Sequence, residues 1–346
     1  MPETNRNALV FRIVLVTLLC TQASLLAYLS WATSPNRTEA GHIGAAVYLW
    51  RVGKFDVFHV NPPLARAVTG MPVAIFCNPN YDWTSYSLKP QDRSEWGLGS
   101  AFIAANDPAD LRLYIFLMRL ACIPLILLGG YFGYRFASEL YGQWSGVTFL
   151  ILWTFSPLIL GWGATICPDV AGASMGVVGL YAFWHWLRTP TWGQAAIAGV
   201  CLGLMTLTKM TWIVAFPIWC LLFVVWQMSK SRNEAQHNDG SVQFQPARAI
   251  SEQVHFTPRP SLRVAPFRLL FAPSFQQFAA MLLLAVWVIN AGYLFDGSFK
   301  QLKDFRFMSG ALTGTEITKG KPTKLGNRFA DSWMGHIPVP LPKEFV

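Results

Sequence analysis

Long apolar runs separated by polar connections dominate this chain, and the spacing of the runs predicts helices rather than strands. A helix needs about 20 mostly apolar residues to cross a bilayer, and the first run, Ala8 to Trp31, meets that length. Arg12 lies one turn inside it, near enough to the interface to snorkel. A cleaved signal peptide is the competing reading, but its apolar region covers only about 7–15 residues, so the pattern favours a retained anchor. Five further runs follow, near 113–135, 144–162, 170–188, 193–208 and 211–228, and a last one extends from Leu269 to Phe295. The runs on either side of Lys209 are short, so a single helix kinked at Lys209 is an alternative to two spans. Two spans place Arg188 and the basic stretch Lys230 to Arg268 on the same side as Arg6 and Arg135, as the positive-inside rule requires. The expected fold is therefore all-α: a polytopic integral membrane protein of about seven transmembrane helices.

Between the first two spans lies an outer loop, residues 32–112. In it, Glu39 to Lys54 sets Ile43, Val47 and Trp50 on one helical face, and Leu64 to Phe76 follows a Pro-Pro start suited to a helix N-terminus. Both pieces read as amphipathic helices lying on the membrane surface. Asn78 to Pro108, rich in Asn, Asp, Ser and Pro, reads as an aqueous loop. Residues 229–268 read as a flexible cytoplasmic loop, and 296–346 as an extracytoplasmic tail. The N-terminus is then cytoplasmic, in a plasma (inner) membrane of bacterial type, and the C-terminus is outside.

Composition narrows the class. Hydrophobic residues make up 53% and charged residues 13% of the 346, and the mean hydropathy is +0.35, which excludes an ordinary soluble enzyme. The excess of 27 Lys+Arg over 18 Asp+Glu reports topology rather than nucleic-acid binding. The 6 cysteines lack metal-binding spacing and lie mostly inside apolar runs, where a thiol behaves as a small hydrophobe.

Ionisable residues at the membrane boundary are the candidates for chemistry, because a charge at mid-bilayer costs about 2.5–3.5 kcal/mol even on the lenient scale. Asp169, in Gly163-Ala-Thr-Ile-Cys-Pro-Asp169, stands at the outer start of a span; its ordinary reading is an acid favoured by a helix N-terminus. Glu39 opens the first surface helix and has the same ordinary reading. Arg66 and Lys209 are cations suited to phosphate or simply to solvating a helix end. Arg119 falls inside the second span, where a charge needs a partner that the sequence does not name. Tryptophans such as Trp50, Trp162, Trp184, Trp186 and Trp212 cluster near span ends, as interfacial anchors do.

These pieces occur in a characteristic order: Thr38-Glu39-Ala-Gly-His42, then Asn61-Pro-Pro-Leu-Ala-Arg66, then Pro168-Asp169, then Leu207-Thr-Lys209. The order resembles the membrane-embedded C-type glycosyltransferases, the group of protein O-mannosyltransferases and the lipid A aminoarabinose transferase, over most of residues 8–295. The resemblance implies transfer of a sugar from a polyprenyl-phosphate carrier to an acceptor lipid, glycan or protein on the outer face. It further implies Asp169 and Glu39 as the catalytic acids and Arg66 and Lys209 as contacts to the donor phosphate, with no nucleic acid as partner. A divalent cation is compatible with the superfamily, yet no ligand set is visible and no cofactor is evident. Two departures stand out: Thr38 occupies the place of the family's principal catalytic Asp, and Asn61 that of a His or Lys. The chain is also short for the family, which predicts a truncated or split enzyme. The alternative is a non-catalytic protein of the same fold that binds the lipid carrier or acts as a scaffold.

Overall fold

The computed structural model describes residues 3–83, 94–239, 273–307, 310–314, 317–318, 321–322 and 326–345. The cytoplasmic loop expected at 229–268 thus lies largely outside the described residues. Helices α1 (Glu3–Ala32), α5 (Pro108–Tyr141), α8 (Pro168–Arg188), α9 (Trp192–Thr208), α10 (Ala215–Asp239) and α11 (Pro273–Gly292), with the pair α6 (Gln143–Phe155) and α7 (Pro157–Gly163), form an all-α bundle. Among the described residues five helices are long and apolar enough to cross a membrane, and α6 with α7 makes a sixth candidate bent by 51°. The expectation of about seven spans was one generous by that measure, because α9 has only 17 residues, about 25 Å at 1.5 Å per residue.

Side-chain contacts nevertheless show the chain reversing at Lys209. Trp186, at the end of α8, meets Trp226 of α10 at 5.9 Å and donates to Gln277 of α11 at 3.0 Å. Lys209 pairs with Asp169 at the start of α8, at the opposite end. α9 therefore climbs toward Lys209 and α10 descends from it, so one helix running through Lys209 is ruled out. The break is local: Lys209 has extended backbone, φ −149°, and a 3₁₀ turn, Met210–Val214, follows. α6 and α7 part where Pro157 removes an N–H donor and the Ser156 side chain caps α7 by accepting from the Ile159 N–H.

Three shorter helices cover the end of the bundle that carries Asp169 and Lys209. α2 (Arg37–Val52) begins at a capping box, in which the Asn36 side chain accepts from the Glu39 N–H while the Glu39 side chain accepts from the Asn36 N–H, and it stops at Gly53 in the left-handed region, φ 74°. α3 (Pro63–Phe76) starts at Pro63, as expected. α4 (Ser94–Ala105) corrects the reading of Asn78 to Pro108 as an aqueous loop. Its Leu98 and Phe102 are fully buried, four residues apart on one helical face; residues 84–93 lie outside the described residues. Gly70 of α3 and Gly99 of α4 press against the backbone of α2 at Ala46 and Ala40, where a Cβ would collide. That close approach holds α2 between its two neighbours.

The core also corrects the tryptophan reading. Trp186 and Trp219 are fully buried, and Phe183 stacks on Trp219 at 4.2 Å while Phe223 stacks on Phe278 at 4.4 Å. This aromatic seam joins α8, α10 and α11 around small residues of α9. Beyond α11 the chain turns back over α2 and α9. Phe345 buries against Phe55, Leu207 and Tyr293, and a two-residue antiparallel ladder pairs Ile317 with Pro322 and Thr318 with Lys321.

Candidate active site

Of the four residues singled out from sequence, the structure brings Asp169 and Lys209 into direct contact, 40 residues apart in the chain. α8 starts at Pro168, which fixes φ and needs no N–H partner in the first turn, and so places Asp169 at the rim of the bundle. α9 ends by presenting Lys209 to the same rim. Gly172 permits the approach, since a Cβ there would touch the Lys209 side chain. The pair is partly open to solvent, with side-chain exposures of 44% for Asp169 and 29% for Lys209. Cys167 Sγ also donates to Asp169, at 2.5 Å.

Arg66 is linked to this pair only through a chain of aromatic contacts. His42 of α2 is buried within electrostatic reach of Asp169 and stacks on Phe58 at 4.7 Å. The Arg66 guanidinium lies 5.0 Å from the centre of the same Phe58 ring and donates to the Asn61 carbonyl at 3.0 Å. Its Nε is buried with no hydrogen-bond partner among the described residues. Burial lowers the Arg66 pKa to about 10, against weaker favourable fields from Tyr293 and Glu95, so the group remains a cation at neutral pH. A buried guanidinium with a spare donor is a poised anion contact.

Glu39 is placed differently. Its carboxylate is fully buried and pairs with Arg119 at 2.7 and 2.8 Å. Its oxygens also accept from the Asn36 N–H and the Ile166 N–H, each at 2.9 Å. Arg119 in turn donates to the carbonyls of Ser30 and Thr33, both at 2.9 Å. The partner that Arg119 needed is thus Glu39, and their pair ties the end of α1, the start of α2, α5 and the turn before α8 into one knot.

Sequence reading missed His42, Phe58 and Cys167 as neighbours of the site. His42 carried a usable signal, being three residues after Glu39 and therefore on the same face of α2. Phe58 and Cys167 carried none, since an apolar ring in a loop and a thiol before Pro-Asp look ordinary. Among the described residues no group of three His, Cys, Asp or Glu side chains is placed to hold a metal ion.

The apolar helices agree with comparison to known proteins. Residues 114–241 match the family model of dolichyl-phosphate-mannose-protein mannosyltransferases. That stretch runs from α5 to α10 and contains Asp169, Lys209 and Arg119, whereas Glu39 and Arg66 lie before it. No curated protein and no solved structure matches the chain. Together the match and the helices support an integral membrane protein of the C-type glycosyltransferase kind.

Proposed function

We propose that the protein transfers a sugar from a polyprenyl-phosphate carrier to an acceptor hydroxyl at the bundle end that carries Asp169, the extracytoplasmic end. The observation that carries this reading is the half-open Asp169–Lys209 pair, joined through His42 and Phe58 to the buried Arg66. In the resting state Lys209 neutralises Asp169. A donor phosphate competes for Lys209 and for Arg66, which releases the Asp169 carboxylate toward the acceptor. The acceptor oxygen then attacks the sugar's anomeric carbon as the bond from that carbon to the phosphate oxygen breaks. The acceptor proton passes to Asp169, and polyprenyl phosphate leaves with the bonding pair, stabilised by the two cations. Attack opposite the leaving group inverts the anomeric carbon.

In this scheme Glu39 is a positioning residue. Its oxygens are engaged by Arg119 and two backbone N–H groups, and it holds the turn that delivers Asp169. The experiment is sugar transfer from lipid-linked donor in membranes containing the full chain. Asp169→Asn lowers turnover by about 10²–10⁴-fold, the usual worth of a general base; unchanged turnover removes Asp169 from the chemistry. Thr38, in the place of the family's principal Asp, favours a second reading, a carrier-binding protein without transfer. Binding of polyprenyl phosphate with no product from any acceptor would select it.

A further inference from the structure

A cavity of about 500 Å³ opens between the end of α1, the start of α5 and the end of α4. On α5 it is lined by Pro108, Arg112, Ile115 and Arg119, a single helical face by their spacing. Arg112 lies 4.2 Å over the Trp31 ring, so its guanidinium is held at the mouth with its N–H edges free of the ring. Among the described residues, no carboxylate is paired with Arg112 and no acidic side chain lines the cavity. Ser30 also lines the cavity and is buried, and its Oγ lacks a hydrogen-bond partner among the described residues. An unpaired buried hydroxyl facing a cationic cavity needs an explanation, and an interfacial Arg–Trp anchor alone does not supply one.

The lining of the cavity indicates its ligand. Trp31, exposed, lines the cavity where α1 ends and α5 begins, and tryptophans at span ends favour the zone in which headgroups meet hydrocarbon. Ile103, Ile115 and Phe116 give the cavity apolar walls beside the cation. We propose that this cavity binds the phosphate group of an anionic phospholipid, with Arg112 as the charged contact and Ser30 as a hydrogen-bond donor. Basic pockets between membrane helices recognise headgroups in this manner. The site is separate from the transfer chemistry, and the Glu39–Arg119 pair stands between them: Arg119 lines the cavity, while Glu39 holds Ile166, three residues before Asp169.

The test uses the purified, delipidated full chain with short-chain phosphatidylglycerol or inorganic phosphate as probes, read by native mass spectrometry and thermal shift. Phosphatidylglycerol binds the wild type and is weakened about tenfold by Arg112→Gln, the scale of a lost charge-assisted contact. Ser30→Ala gives a smaller loss in the same direction. Inorganic phosphate that stabilises the wild type in an Arg112-dependent way, with the lipid adding nothing, assigns the cavity to free phosphate and upholds the phosphate chemistry. Equal responses of wild type and Arg112→Gln to both probes overturn the proposal. Arg112 is exposed, so the variant folds, and Trp31→Leu, which removes the ring under the guanidinium, gives an independent check.

Discussion

Two acid–base pairs lie at one end of this bundle, joined by the turn in which Ile166 donates to Glu39 and Asp169 follows three residues later, and they are built to opposite ends. Glu39–Arg119 is fully enclosed, with exposures of 0% and 1%, and backbone groups occupy its remaining hydrogen-bonding positions. Asp169–Lys209 stands half open. A buried pair earns little net stability, but it punishes the loss of one member, because the charge left behind has nowhere to go. An exposed pair is worth about 0–1 kcal/mol and can be exchanged for a ligand at small cost. The first arrangement sets geometry, and the second leaves a carboxylate and an ammonium within reach of a substrate.

That contrast breaks most readily at Arg119. Arg119→Met strands the Glu39 carboxylate and lowers stability by about 3–5 kcal/mol, read as a fall in the unfolding midpoint in detergent; a shift under about 1 kcal/mol would mean the pair is not the knot described. Asp169→Asn does the reverse, leaving stability within about 1 kcal/mol while turnover drops as described above, so one pair of assays separates the two carboxylates. Next in size, Arg66→Gln raises the apparent KM for lipid-linked donor about tenfold or more, from loss of a charged contact, with turnover at saturation less affected. A KM equal to that of the wild type would remove Arg66 from the donor phosphate.

The smallest effect concerns the tail. His59 and Glu344 pair at 2.6 Å, outside the spans and close to Arg66. The Glu344 hydrogen bond raises the His59 pKa above 6.5 despite burial. Burial pushes the Glu344 carboxyl up, but the His59 hydrogen bond and charge outweigh it and hold the group below its ordinary 4.5. The His59 contribution is full below pH 6.5 and is lost as pH rises through the raised value; the Glu344 contribution is full above pH 4.5 and is lost as pH falls through the lowered one. Docking of the 338–345 segment is therefore strongest between those limits. Hydrogen exchange of that segment should speed up on the alkaline side, and His59→Gln should abolish the alkaline change; an unaltered profile contradicts the linkage.

Much of this architecture was legible because bilayer crossing demands long apolar runs, and each of the seven runs became a helix or, for 144–162, a bent pair. The starts of α2 and α3 were legible from Glu39 and the Pro-Pro entry, which act through local backbone chemistry, whereas the cap at Asn36 was not read from sequence. α4 was hidden because the polar run before it resembles a loop while its stripe of Glu95, Leu98 and Phe102 is short. Trp186 read as an anchor because position at a span end does not reveal that α10 and α11 cover it. The same holds for the site. Charges at span ends marked Asp169 and Lys209, and a charge at the start of a surface helix marked Arg66, one by one, but the Glu39–Arg119 contact joins residues 80 apart, a distance over which no local pattern carries information.

The most direct test compares sugar transfer by Asp169→Asn with transfer by the double variant Glu39→Gln/Arg119→Met. The double variant removes both buried charges together, which is often close to neutral for stability, and it keeps a side-chain oxygen for the Ile166 N–H. At equal amounts of folded protein, the account predicts a loss of about 10²–10⁴-fold for Asp169→Asn and activity within about tenfold of wild type for the double variant. Full activity in Asp169→Asn with transfer abolished in the folded double variant would contradict it, and would make Glu39 the reacting carboxylate.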